Sequence, residues 1–345
     1  MQGKALGQLA KHVGGKVIGN PETIIKSATT LENARTGEIS FLSNRKYERL
    51  MAETKASAVI VGEEVRTNAA LLLVEDPYYA FMQVVVLLHG HRKHKKAGIS
   101  SRASVANSAV LGENCNVDDF AVISDNVTIG RNCAIYPGVF IGPNTSIGED
   151  CIIYPNAVIY NGCKVGNRVI IHANASIGQD GFGFATQEGT HHKIPQIGCV
   201  ILEDDVEIGS SCAIERGTLD ETIIGQGSKI GDMVAIGHGT KIGPHCLLVP
   251  QVGVAGSAVL GHHCVLGGQV GVVGHIKIGN MVTIGAQSGV KNDIPDGAKV
   301  LGAPAIDANI AKRALTMIQY LPEMRKTIRK LEKSIAKLET SDKQI

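Results

Sequence analysis

Two histidines stand in a stretch that otherwise runs on Ile, Val, Leu and Gly: His238 in IGHGTKIG (236–243) and His275 in GVVGHIKIG (271–279). A neutral imidazole can take the proton of an attacking amine or hydroxyl, because a free ring titrates at about 6.5. A second imidazole can polarise or orient the reacting group, and a glycine between the two, such as Gly256, offers a bare backbone N–H to a developing oxyanion. That set suits acyl transfer and asks for no serine nucleophile. On residue type alone both rings are equally readable as surface corner residues, as are His172, His245, His262 and His263. The elements that carry them therefore decide.

From Ile99 an aliphatic residue falls on every sixth position as far as Ile177. The same spacing resumes at Leu202, Ile208 and Ile214, slips by four, and runs from Ile224 to Val290. A spacing of six is neither the helical period nor the strand period, so this is read as a repeat, and hexapeptide repeats imply a parallel β-helix. The chain is expected to be mainly β. The IG dipeptides at 129, 141, 147, 236, 242, 278 and 284 are expected to permit tight corners between short strands. The repeat resembles the left-handed β-helix of hexapeptide acyltransferases, in which three hexads make one triangular coil of eighteen residues. On that spacing His238 has Gly256 one coil on, and Gly274 beside His275 one coil further, on a single column with levels about 4.8 Å apart. Residues 178–199 break the period and are expected to form an external loop.

The position two before each aliphatic points to the same side of its strand and carries small or branched residues such as Ala121, Val127 and Ala157. Seven of the eight cysteines, all but Cys199, occupy that slot. They read as buried free thiols rather than disulfides or metal ligands. With 41 glycines, 4% aromatic residues and no Trp, an aromatic-rich sandwich is disfavoured. The net charge of +2 argues against wholesale nucleic-acid binding. The first residues lack an apolar signal region and no apolar run approaches the roughly 18 residues of a membrane span, so a cytoplasmic location and no transmembrane segment are expected. Val84 to Leu88, followed by HGHRKHKK, reads as a helix end and a basic linker rather than a membrane anchor.

Three regions are expected: a small N-terminal α/β domain over 1–97, the β-helix over 98–297, and C-terminal α-helices over 298–345. In the first, GQLAKHVG, KYERLMAE and PYYAFMQVVVLL read as helices, and GKVIG, TIIKSATTL, EISFLSN, ASAVIVG and AALLLVE as strands. KNDIPDGAKVLGAPA reads as a terminating loop. The second C-terminal helix, opened by Pro322, carries Leu321, Met324, Ile328, Leu331, Ile335 and Leu338 as an apolar seam. Nine Lys or Arg against four Asp or Glu after 311 suit either a solvated face within an oligomer or an acidic partner.

IGQDGFGFA (177–185), KIPQIGCVILEDDVEIG (193–209), ERGTLDETIIG (215–225) and the two histidine motifs, in this order behind an N-terminal domain, closely resemble the UDP-3-O-acylglucosamine N-acyltransferase family of lipid A biosynthesis. The resemblance spans nearly the whole chain. It implies transfer of a fatty acyl group, usually 3-hydroxyacyl, from acyl carrier protein to the 2-amine of UDP-3-O-acylglucosamine. His238 would be the base, with His275 assisting and the Gly256 amide in the oxyanion hole. EISFLSNRKY looks like the family's uridine site, with Phe41 and Tyr47 flanking the base and Asn44 reading its edge, although Phe41 taken alone reads as core. Asp180, Phe182 and Phe184 of DGFGF, and Lys193 and Gln196 of HHKIPQ, would lie near the sugar or acyl chain, and His191, His192 and Lys193 could face the diphosphate. The donor would be acyl-phosphopantetheine on its carrier, with no permanently bound cofactor and no metal, and the family implies a homotrimer with sites between neighbouring β-helices. Spacing does not choose among Glu215, Asp220 and Asp232 as the carboxylate behind His238. Rival readings are the related O-acyltransferase acting on UDP-N-acetylglucosamine, a non-catalytic β-helical scaffold, and a metal held by His238, His262 or His263, and His275 as in hexapeptide-repeat carbonic anhydrases.

Overall fold

The computed structural model describes residues 3–94, 98–302 and 308–342. The chain divides into two compact units, Met1–His94 and Lys95–Ile345. In the first, five strands form a sheet in the order Lys16–Ile18, Ala70–Leu73, Ala58–Val61, Glu38–Leu42, Ser27–Ala28. Ala58–Val61 is buried throughout, as a strand covered on both faces must be, and its alternate residues feed two clusters. Ala58 and Ile60 meet the helices Leu6–Val13 and Pro77–His89 through Leu6, Leu9, Ala80 and Val84, while Val59 and Val61 meet Leu31 and Met51. Pro77–His89 is capped by Asp76, whose Oδ1 accepts the N–H groups of Tyr78 and Tyr79, both at 3.0 Å. Its apolar run is thus spent on the sheet. KYERLMAE is a 3-10 helix, Arg45–Ala52, rather than an α-helix: only Met51 is buried, too little packing to stabilise α-helical turns.

The second unit is a parallel β-helix whose three ladders contain ten, ten and nine strands. Most strands are two residues long, an outward residue followed by the inward aliphatic of the hexad. Val117 pairs with Ile135, Ile129 with Ile147 and Ile236 with Val254, so one coil is eighteen residues. The register survives both breaks in the sequence. Ile177 pairs with Ile214, 37 positions on, which is eighteen plus an insertion of nineteen. Ile214 pairs with Ile236, 22 positions on, which is eighteen plus four. The longer insertion leaves the coil as a hairpin, Phe184–Gln187 against Thr190–Lys193. KNDIPDGAKVLGAPA is not wholly a loop: Ile294 bridges to Ile278 and Lys299–Val300 pairs with Thr283–Ile284. The ladder therefore runs past residue 297.

In the IG pairs the glycines 130, 142, 148, 237, 243, 279 and 285 are required, though for a reason other than corner geometry. These glycines lie outside the left-handed region; what they lack is room. A Cβ on Gly130 would stand 2.7 Å from the carbonyl carbon and oxygen of Gly148, and one on Gly225 2.6 Å from the backbone of Gly243 and Pro244. The left-handed residue comes two positions later and is commonly Asn, as at 114, 126, 132, 144, 156 and 174, all with φ between 56° and 61°. His275 occupies such a position, with φ 60°.

The cysteine slot also has a specific use. The Cys115, Cys133, Cys151, Cys246 and Cys264 thiols donate to the carbonyls of glycines 130, 148, 166, 261 and 279 at 3.0–3.1 Å. Ser228 and Thr240 make the equivalent bond, to Gly243 and Ala255. Burial pushes the Cys163 and Cys212 thiols up to about 11, which keeps them protonated. All eight cysteines are free, and only Cys199 is less than buried.

No helix among the described residues is long and apolar enough to cross a membrane. Ala308–Ile318 and Leu321–Asp342 form the C-terminal helices, and Leu321, Met324, Ile328, Leu331 and Ile335 are exposed along the second. The side chain of Leu338 lies outside the described residues. Gly130→Ala should lower stability by about 1–3 kcal/mol, because the methyl meets backbone that cannot rotate away. Asn126→Gly should change it by only a few tenths of that. Paired thermal melts check both.

Candidate active site

His238 follows the strand Ala235–Ile236, at the corner leading to Lys241–Ile242. One coil on, Gly256 follows Gly253–Val254, and one further, Gly274 and His275 follow Gly271–Val272. The column expected from the eighteen-residue coil is therefore present, and the backbone joins its levels. Ser257 N–H donates to the His238 carbonyl at 2.8 Å, and His275 N–H to the Gly256 carbonyl at 3.2 Å. The His238 ring lies across Gly256: a Cβ there would sit 2.7 Å from Nε2 and 2.8 Å from Cε1. Among the described residues the Gly256 N–H has no acceptor. The His238 side chain is half-buried and His275 is exposed.

None of the three candidate carboxylates is bonded to the His238 ring. Glu215 Oε2 accepts the His238 backbone N–H at 3.0 Å, fixing the main chain at the corner. Asp232 accepts Ser210 N–H at 2.7 Å. Asp220 contributes its carbonyl, which accepts Cys199 N–H at 3.3 Å. What faces the ring is Thr218, with Oγ1 3.3 Å from Nδ1. Thr218 in turn donates to Gln196 Oε1 at 2.9 Å, and Gln196 Nε2 donates to the Ile194 carbonyl at 3.0 Å. Thr218 lies in the four-residue slip, and that break in period beside a histidine is the signal that could have found it.

Gln196, expected at the substrate, is only 7% exposed and has both ends of its amide engaged within the chain. Asp180 and Lys193 pair with each other at 2.9 Å. Phe182, at 82% exposure, and Phe184 meet edge to face with ring centres 5.2 Å apart. The root of the insertion is pinned by Arg216, 6% exposed, whose Nε donates to the Gly178 carbonyl at 2.7 Å and whose Nη2 donates to the Asn161 carbonyl at 3.0 Å. His191 Nδ1 lies 2.9 Å from Thr186 Oγ1 within the exposed hairpin.

A groove of about 710 Å³ runs from His238 and Phe182 along one face of the β-helix to Lys291. Its floor is the outward column Ala213, Ala235, Gly253, Gly271 and Gly289. Earlier in the same ladder that column holds Val122, Phe140 and Val158, so the groove opens where side chains shrink. Five levels about 4.8 Å apart make a floor roughly 19 Å long. His262 and His263 follow Leu260, on a different ladder and a different corner, with their Nδ1 atoms 2.9 Å apart. Within one chain the fold therefore does not gather them with His238 and His275.

In the N-terminal unit Phe41 packs on Phe81, ring centres 4.3 Å apart, and lines a cavity of about 310 Å³ with Tyr47 and Tyr78. Asn44 lines the adjacent cavity instead, and its Oδ1 caps the 3-10 helix by accepting Lys46 N–H at 2.9 Å. Tyr78, exposed on the first turn of Pro77–His89, is the aromatic that sequence reading passed over, and the pair of tyrosines after Pro77 was its signal.

Residues 22–87 match the family model described as UDP-3-O-(3-hydroxymyristoyl) glucosamine N-acyltransferase, LpxD, and residues 108–143 and 144–179 match that of the bacterial transferase hexapeptide repeats. The chain is 54% identical over 339 residues to the UDP-3-O-acylglucosamine N-acyltransferase of Nitratidesulfovibrio vulgaris, covering 98% of each chain. It is 52% identical over 335 residues to that of Syntrophotalea carbinolica, covering 97% of each, and 52% identical over 337 residues to that of a Geobacter species, again 97% of each.

Gly256→Ala tests the geometry of the column. The added methyl meets the end of a movable ring rather than backbone, so the melting transition should shift by no more than about 1 kcal/mol in stability. A crystal structure of the variant should show the His238 imidazole rotated off the Gly256 position.

Proposed function

The chain belongs to the UDP-3-O-acylglucosamine N-acyltransferase family, and from that premise we propose that it moves a 3-hydroxyacyl group from the phosphopantetheine thioester of acyl carrier protein to the 2-amine of UDP-3-O-acylglucosamine, with His238 as general base. The observation that carries the reading is the His238 ring lying across Gly256, whose N–H is unclaimed among the described residues, at the head of an apolar groove. The amine nitrogen attacks the thioester carbonyl carbon. His238 Nε2 takes the proton lost from nitrogen, and the carbonyl oxygen gathers charge against the Gly256 N–H. The carbon–sulfur bond then breaks, the electron pair leaves with sulfur, and the imidazolium returns its proton to the thiolate. Proton and acyl group are the only things transferred, so the step as written calls on no resident cofactor.

The other roles follow from place and chemistry. His275, exposed one level beyond Gly256 and tied to its carbonyl, assists at the oxyanion or the donor. The groove floor of Ala and Gly accepts an extended acyl chain, with Phe182 over its head. One sheet face supplies one wall, and a neighbouring subunit of a homotrimer supplies the other. Stacking between Phe41 and Tyr47, with the Asn44 amide as donor to a ring carbonyl, suits uracil. Lys193, paired with Asp180, swings to the diphosphate when substrate arrives. The exposed apolar row of the last helix, on a locally basic segment, serves subunit contact and the acidic carrier together. Work on a carrier-bound thioester and a nucleotide sugar supports a cytoplasmic location.

With acyl carrier protein thioesters as donors, UDP-3-O-acylglucosamine should be acylated and UDP-N-acetylglucosamine should not; preference for the N-acetylated sugar would sink the assignment in favour of the O-acyltransferase. His238→Ala should cost at least about 100-fold in kcat, the usual share of a general base. Full turnover by that variant would leave a scaffold.

A further inference from the structure

Thr218 has one hydroxyl hydrogen and two neighbours that could use it. Gln196 Oε1, at 2.9 Å, is an acceptor only, and the amide cannot be turned to present nitrogen there because Nε2 already donates to the Ile194 carbonyl. The Thr218 hydrogen therefore goes to Gln196, and toward His238 Nδ1 the hydroxyl oxygen offers only a lone pair. Two acceptors facing each other would repel, so Nδ1 must carry a hydrogen, and in the neutral ring Nε2 is then bare. Nε2 is the atom that lies over Gly256.

We propose that Thr218 and Gln196 are positioning residues that hold His238 in the Nδ1–H tautomer, so that its Nε2 lone pair faces the Gly256 level. The hydroxyl–amide relay stands where a carboxylate is the more familiar partner. Its far end belongs to the insertion: Gln196 lies on the returning leg of residues 178–198, and on the outgoing leg Gly181 has no room for a Cβ, which would sit 2.7 Å from Gln196 Oε1 and 2.8 Å from His238 Cβ. The insertion thus sets the ring as well as lining the groove. The return of a proton from His238 asks nothing of the relay, which neither gains nor loses one.

The catalytic consequence rests on His238 being the base; the tautomer itself does not. The test is nitrogen NMR of full-length protein labelled at histidine nitrogens, at a pH where imidazoles are neutral, with the His238 signals identified by their loss in His238→Ala. The wild type should show a protonated Nδ1 and a bare Nε2. Gln196→Leu frees the Thr218 hydrogen to turn to Nδ1 and should move the population toward Nε2–H, and Thr218→Val should let both tautomers appear. Each variant should lose roughly tenfold in kcat with KM within about twofold, and Thr218→Ser should recover most of the loss that Thr218→Val causes. A wild-type ring protonated at Nε2, or tautomer populations unmoved in both variants, overturns the proposal. Full turnover by His238→Ala would instead overturn the base assignment and leave the tautomer result standing.

Discussion

The close approach of one coil to the next where glycine follows the inward aliphatic is the contact on which the regular stack depends. There is no space for a Cβ at Gly130, Gly225 or Gly243, because the backbone of the following coil is already within 2.5–2.8 Å of where it would be. At these levels the glycine N–H joins the ladder, as from Gly130 to the Ile147 carbonyl at 2.9 Å, and one coil is eighteen residues. At Gly256 the same lack of a side chain is put to another use. The space a Cβ would fill is occupied by the His238 ring from the level before, so a packing rule of the fold becomes the floor under the imidazole.

Regularity makes the column, and departures from regularity furnish it. Nineteen extra residues before Cys199 and four extra before Glu221 both emerge beside the His238 corner, while the ladders on either side keep their pairing. The long insertion supplies Phe182 to the groove and Gln196 to the relay; the short one supplies Thr218. Arg216, buried and with its guanidinium bonded to groups of Gly178 and Asn161, ties the root of the long insertion to the coil that precedes it. A β-helix without these breaks would carry the histidine on a bare corner, with nothing to fix its ring.

Much of the fold could be read from the chain because its rules are local and repeated. The inward aliphatics, the slot two residues earlier that takes Ala, Val or Cys, and the interruption after Ile177 all follow from counting. The glycine after the aliphatic was also visible, yet its reason was not: dihedral freedom is a property of one residue, whereas the clash that excludes a side chain involves a residue eighteen places away. KYERLMAE gave a helical pattern, and only the small area it buries shows why it winds as a 3-10 helix.

The sequence by itself determined the period of six and with it the parallel β-helix; the coil of eighteen came from the resemblance to hexapeptide acyltransferases, and the alignment of His238, Gly256 and Gly274 with His275 beside it is arithmetic on that coil. It could not choose the partner of the His238 ring. Glu215, Asp220 and Asp232 are all near in sequence, but the four-residue slip removes the arithmetic at that point, and a side chain's direction out of an irregular turn is set by what it packs against. Only the tertiary structure decided that Glu215 holds the backbone and that a threonine, backed by a glutamine from the insertion, holds the ring. Hydrogen bonds are directional over about 3 Å, and no spacing along a chain encodes that direction once the repeat is broken.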